Sequence, residues 1–380
     1  MPFDMRDLVT GLPTDTPAER RNRQIVAGWL FTIAAMVWAM TVLGGATRLT
    51  GSGLSIMEWA PLAGALPPLS HAEWQRLFAL YRQIPQYSLL HQGMGLAGFQ
   101  GLFWLEWAHR LLGRLIGLAF LVPLVWLWAA GRIERTLRPR LVLLLLLGAA
   151  QGAAGWFMVA SGFFPASTAV SPYRLVVHLA VALVLFGSLI WTALSVLRPA
   201  PVHLDWAGAR VTRRLAEAAV ALVGLTVLAG GFTAGLHAGF AYNTFPLMEG
   251  RLVPRAYADL QPFWRNLTEN VAAVQFDHRL LATATALTVL ATAAIGLCSY
   301  LPRRIRAVLW LLAAAVAAQY CLGVSTLLLV VPMPLAVAHQ GMAMLLLAAA
   351  LASAHALRGA CHQRLPESLR RARVREPAAP

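Results

Sequence analysis

Eight apolar stretches, each near the roughly 20 residues that cross a bilayer, lie at about 25–44, 103–130, 141–160, 174–197, 215–235, 275–299, 307–331 and 335–357. The segments between them are short and polar, except for two long ones at 45–102 and 236–274 that are rich in Gly and Pro. Gly and Pro inside the apolar stretches are tolerable where neighbouring helices satisfy the backbone. The pattern predicts an all-α membrane protein with eight transmembrane helices. Long loops without strong secondary-structure signals are often lids or binding surfaces. Trp59, Trp74, Trp104, Trp107 and Trp264 mark one interface, where amphipathic aromatics concentrate.

Composition agrees. Of the 380 residues, 58% are hydrophobic and 12% charged, too few charges to cover a soluble protein. The net charge of +15 raises nucleic acid as a partner, but the 31 basic residues, all arginine, are scattered among the segments between apolar runs. That distribution excludes a basic binding face and instead sets orientation. With the N-terminus inside, the inner segments hold Arg20, Arg21, Arg132, Arg135, Arg213, Arg303 and many others, whereas the outer ones hold only Arg48, Arg76, Arg82, Arg174, Arg251, Arg255 and Arg265. Both termini are therefore expected in the cytoplasm, and the polar N-terminus lacks a cleavable signal pattern. Cys298, Cys321 and Cys361 have no spacing that indicates a metal site or disulfide framework.

The two halves of the chain echo one another. Gly44-Gly45-Ala46-Thr47 closes the first stretch, as Gly230-Gly231-Phe232-Thr233 closes the fifth. Glu106-Trp107-Ala108-His109-Arg110 corresponds to Gln275-Phe276-Asp277-His278-Arg279, Gln151 to Gln319, and His178 to His339. Four spans per half give both copies the same orientation, a parallel repeat about an axis along the membrane normal. The expected organisation is a cytoplasmic segment 1–24, a four-helix bundle 25–197, a linker 198–214, a second four-helix bundle 215–357 and a basic tail 358–380.

A lone histidine in an apolar helix is more often a packing residue than a ligand. Four at equivalent positions of a repeat, each expected within the first two turns of its helix, lie near one depth and suit two bis-imidazole sites, typically for haem iron. Glu106 shares a helical face with His109 and stands four residues before Arg110, so an ion pair is as good a reading as a catalytic one. Arg110, Arg114 and Arg279 either snorkel outward or bind anionic groups such as propionates. Gln151 and Gln319 read as interhelical hydrogen-bonders. His203, His355 and His362 are expected to be solvated; His71, His91 and His237 fall in the outer loops.

From about residue 25 to 357 the chain resembles the haem A synthase family, in its alphaproteobacterial and mitochondrial branch. The resemblance rests on Gly44-Gly45-Ala46-Thr47-Arg48-Leu49-Thr50-Gly51-Ser52-Gly53-Leu54-Ser55, Pro85-Gln86-Tyr87, Glu106-Trp107-Ala108-His109-Arg110, Gly113-Arg114 and the contexts of His178, His278 and His339. It implies an inner-membrane oxidoreductase that oxidises the C8 methyl of haem O to a formyl group through a hydroxymethyl intermediate, giving haem A for terminal oxidases. His109 and His178 would be axial ligands of the substrate haem, toward the periplasmic side. His278 and His339 would hold a haem b cofactor, and Arg110 and Arg279 would contact propionates. Glu106 would be the essential carboxylate, which Gln275 replaces in the second half. Implied partners are membrane lipid, a haem O synthase (protohaem farnesyltransferase), oxidase assembly factors and an electron donor that the sequence does not identify. The outer-loop cysteine pair of Gram-positive members is missing here, which removes thiol–disulfide exchange as a step. His91 stands where relatives often have Asn.

Two other classes compete. A di-haem b-type electron-transfer cytochrome usually carries two histidines per helix, near both membrane faces; here each helix has one. A transporter with structural histidines would bind no haem.

Overall fold

The computed structural model describes residues 16–60, 63–165, 167–202, 204, 206 and 208–360. Along them run α1 (Pro17–Leu49), α2 (His71–Tyr81), α3 (Pro85–Leu90), α4 (Leu96–Ala129), α5 (Arg138–Ala160), α6 (Pro172–Leu197), α7 (Ala209–Gly235), α8 (Asn266–Glu269), α9 (Val271–Leu297), α10 (Arg303–Leu328) and α11 (Met333–Ala356). Short 3-10 turns fill the long loops, and no strand is present among the described residues. The helices α1, α4, α5, α6, α7, α9, α10 and α11 are long and apolar enough to cross a membrane. The chain is a multi-pass membrane protein.

Local chemistry sets where the helices begin. Thr16 and Glu19 form a reciprocal capping box, so α1 starts eight residues earlier than hydropathy predicts and carries Arg20, Arg21 and Arg23 within it. Proline occupies the first turn of α1, α5, α6 and α11, where its missing N–H costs nothing. The side chain of Asn270 accepts from the Ala272 and Ala273 amides to start α9.

The first long loop departs most from the sequence reading. It contains α2 and α3, and α4 begins at Leu96 rather than near 103. Phe78, Tyr81 and Ile84 of the loop pack on Phe99 and Phe103 of α4 in an aromatic cluster. That packing extends the helix by two turns and places His109 in the fourth turn of α4, not the first two.

Helix α1 packs on α4 and α6, and α5 packs on the same two; α7 packs on α9 and α11, and α10 packs on the same two. The two sets of four meet where α1 touches α11, α6 touches α7, and α6 touches α11. One apolar core runs through this junction, including Leu30 and Ile33 of α1, Leu189 of α6, Val223 of α7 and Met344 of α11. A smaller cluster at the opposite end from the long loops joins Leu204, Leu309 and Leu357, with a backbone bridge between Leu204 and Ala360. Residues 1–15 and the tail beyond 360, with His362 and Cys361, lie outside the described residues, as does His203.

Candidate functional site

Each of the four repeat histidines rests against a glycine of a neighbouring helix. A Cβ on Gly44 of α1 would stand 3.0 Å from Nε2 of His109. On Gly155 of α5 it would stand 3.0 Å from Cε1 of His178; on Gly230 of α7, 2.9 Å from Cε1 of His278; on Gly323 of α10, 2.8 Å from Cε1 of His339. Real Cβ atoms essentially never come as close as those at Gly230 and Gly323 would, and those at Gly44 and Gly155 would require the ring to shift, so each imidazole sits in a slot that glycine leaves open. Three rings turn the same edge to their glycine, whereas His109 presents Nε2.

In the second half the two rings face each other across the set of four helices. Their centroids are 6.5 Å apart and their planes are perpendicular. Nδ1 of His278 lies 3.1 Å from the Thr226 carbonyl, which leaves Nε2 for a ligand bond, the usual arrangement behind a metal-bound imidazole. With metal–nitrogen bonds of ~2 Å and a ring centre about 1 Å further, two imidazoles on one ion would stand about 6 Å apart. In the first half the amide nitrogen of Gln151 lies 3.3 Å from Nε2 of His178. Nδ1 of His178, Nδ1 of His339 and the amide oxygens of Gln151 and Gln319 are buried without partners. Such unmet polar atoms are rare in the absence of a ligand. The spacing of His278 and His339 fits one metal ion between their rings, and His178 and Gln151 supply the unmet polar atoms of the first half.

Above the histidines, the long loop is tied to the helix by one clamp in each half. In the first half, Oε2 of Glu106 accepts from the Ser55 hydroxyl at 2.7 Å and the Ile56 amide at 2.9 Å, while Oε1 accepts from Arg110. Arg110 also donates to the carbonyls of Ile56 and Glu58. In the second half, Arg279 donates to the carbonyls of Tyr242 and Thr244 and to Oε1 of Gln275. The Gln275 amide nitrogen then donates to the carbonyls of Ala238 and Ala241. Arg279 is thus committed chiefly to loop carbonyls, and Arg110 is divided evenly between loop carbonyls and Glu106. Arg114 likewise donates to the Ala60 carbonyl at 2.7 Å. Glu106 is 3% exposed and Gln275 2%, so neither clamp is a solvated surface feature.

Next to the first clamp, the Tyr81 hydroxyl donates to Gln86 and meets Nδ1 of His91 at 2.6 Å, while the Gln86 amide donates to the Gly51 carbonyl. Burial, with the Glu106 carboxylate as a second cause, pushes the Tyr81 phenol above its ordinary range. His71 and His237 are exposed. His355, expected to be solvated, is 2% exposed: it lies against Ser195 at 3.2 Å and Arg358 at 2.8 Å, because the junction between α6 and α11 continues to that end of the helix.

The seams between helices differ between halves. Gly117 on α4 and Gly148 and Gly152 on α5 have nothing within 4 Å of a Cβ position. Their counterparts, counted from the matching histidines and glutamines, are Ala286, Val316 and Tyr320. Val316 is buried, and Tyr320 meets Thr283 at 3.1 Å to bridge α9 and α10. Helices α4 and α5 touch along less of their length than α9 and α10 do, and Gly117, Gly148 and Gly152 stand exposed. Sequence reasoning missed the glycine slots and this seam, although the unequal spacing of glycines between the halves carried the signal.

Residues 27–351 match the family model for the cytochrome oxidase assembly protein. The chain is 60% identical to a heme A synthase of Granulibacter bethesdensis over 90% of both chains. It is 51% identical to a heme A synthase of Rhodospirillum centenum over 88% of both. A heme A synthase 2 of Acidiphilium cryptum is 48% identical, over 90% of this chain and 94% of that one.

Proposed function

The chain belongs to the cytochrome oxidase assembly protein family, and we propose that it is a haem A synthase, oxidising a ring methyl of haem O to a formyl group in two two-electron steps through the alcohol. In this reading His109 and His178 bind the substrate haem, and His278 and His339 bind a resident haem b. The two sets of four helices are a parallel repeat, with both termini on the cytoplasmic side of the inner membrane and the histidines toward the periplasm. The arginine-poor long loops support that orientation.

The observation that carries the assignment of roles is the difference between the clamps. Glu106 places a buried carboxylate three residues before His109, and Gln275 places a neutral amide three residues before His278. A reacting site needs a group that stabilises charge developing on the oxidised carbon; a resident cofactor does not. Glu106 is held by a guanidinium, a hydroxyl and an amide and forms an ion pair with Arg110. Its role is therefore electrostatic: a fixed negative charge in a low-dielectric setting, oriented before the reaction and costing no reorganisation during it. Haem b, when bound, supplies one-electron redox chemistry to the reaction. His278 orients through the Thr226 carbonyl, and Gly230 and Gly323 fix both ring positions.

Haem O carries a long prenyl tail, so its route to the site is lateral, from the bilayer. The shorter contact between α4 and α5 supports the N-terminal set as the one that exchanges its porphyrin. The test is pigment extraction from the full-length protein purified from membranes that also make haem O. Haem A or its alcohol precursor is the expected result. Haem b alone would identify an electron-transfer cytochrome, and no haem would point to a transporter.

A further inference from the structure

The paired glycines that end the apolar part of α1 serve two sets of helices at once. Gly44 seats His109 of its own set. Gly45, the next residue, faces Gln340 of α11, the residue that follows His339. The Gln340 amide nitrogen donates to the Thr41 carbonyl at 2.9 Å, and a Cβ on Gly45 would lie 2.9 Å from its Cδ. One turn nearer the N-terminus of α1, the Trp38 indole donates to the Gly341 carbonyl at 2.9 Å. The chain of contacts runs from His109 through Gly44 and Gly45 to Gln340 and His339.

The repeat supplies an internal control. Gly230 seats His278, and Gly231 faces Val176 and Leu179, which flank His178. The geometry is therefore shared, but Leu179 replaces Gln340, and Gly224, with nothing within 4 Å, replaces Trp38. Of the two equivalent crossings, only α1 with α11 is pinned by these two polar bonds. Side-chain amides that cross between membrane helices fix rotation and register in a way that aliphatic contacts do not. We propose that Gln340 is a positioning residue: through Thr41 it fixes the rotation of α11 at His339 relative to the helix that carries the His109 seat. It thereby sets the orientation of the resident haem toward the substrate haem.

The proposal rests on His339 being an axial ligand of the resident haem, and its test separates the two ideas. Gln340→Leu copies the residue that the other half uses, so the fold has a precedent for it. Gly45→Ala breaks the same bond from the opposite side by displacing the amide. Both full-length proteins, purified with bound haem, are compared with the parent by electron paramagnetic resonance of the low-spin signal and by redox titration. The expected result is full haem b content with the same direction of shift in g-values and midpoint potential in both variants, and no such shift in Leu179→Ala. Unshifted signals in both variants would overturn the role of Gln340. Haem b retained in His339→Ala would overturn the ligand assignment instead.

Discussion

Arg110 donates twice to one oxygen of Glu106, through Nε at 3.0 Å and Nη2 at 2.7 Å, and leaves the other oxygen to the loop. The carboxylate is thus the joint between a membrane helix and the segment that roofs it. Glu106→Gln would keep the shape, copy Gln275, and remove the charge. Haem A formation in membranes containing haem O is expected to fall about 10²–10³-fold, the usual loss when one preorganised charge-stabilising group is removed. The protein should still accumulate and still bind haem b. Wild-type haem A formation in this variant would remove Glu106 from the mechanism.

The glycine slots predict a local effect. Gly155→Ala should displace His178, and Gly323→Ala should displace His339, each weakening haem at its own site about 10- to 100-fold, as losses of supporting contacts around metal ligands commonly do. Gly224→Ala, with open space at its Cβ, is the control and should change nothing. Haem content by the pyridine haemochrome spectrum, site by site, reads the outcome; equal loss at both sites from one substitution would contradict separate slots.

Gly152→Tyr places on α5 the side chain that bridges α9 and α10. It should reduce haem O uptake while leaving resident haem b intact. Normal haem O binding would show that the tail enters elsewhere.

In the first outer loop, Arg76 bonds both Glu58 and Glu73 at 2.8–2.9 Å and holds both carboxyls below their usual range. Groups with depressed values stabilise the fold above their unfolded pKa, and that contribution disappears as pH falls through the folded value. The loop should therefore open to protease as the pH drops below the ordinary carboxylate range. The pairs are close to half exposed, so each contributes about 1 kcal/mol or less. Arg76→Gln should flatten this acid dependence; an unchanged profile would assign it to other groups.

The eight spans and the four histidines were legible because hydropathy and repetition are one-dimensional signals. What escaped was pairwise. Leu96–Leu102 looked like loop until Phe78 and Tyr81 gave Phe99 a surface to pack on. Gly44, Gly155, Gly230 and Gly323 read as ordinary small residues, since a missing Cβ has meaning only against the ring that fills it. His355 looked solvated from its place near a chain end, yet Ser195 of α6 covers it. Glu106 and Arg110 were readable as an i,i+4 pair, but the Ser55 and Ile56 contacts depend on a loop fifty residues away in the chain.

That distance bears on biogenesis. Ser55 and Ile56 belong to a segment with its own aromatic core, which can assemble only after both flanking helices are in place. During insertion Glu106 would enter the bilayer before the upstream loop has docked on it, when a solitary carboxylate is costly. Arg110 travels on the same helix, one turn away, and can neutralise it from the outset. The ion pair thus acts as a built-in chaperone for the acid, carrying it through the membrane until the loop docks.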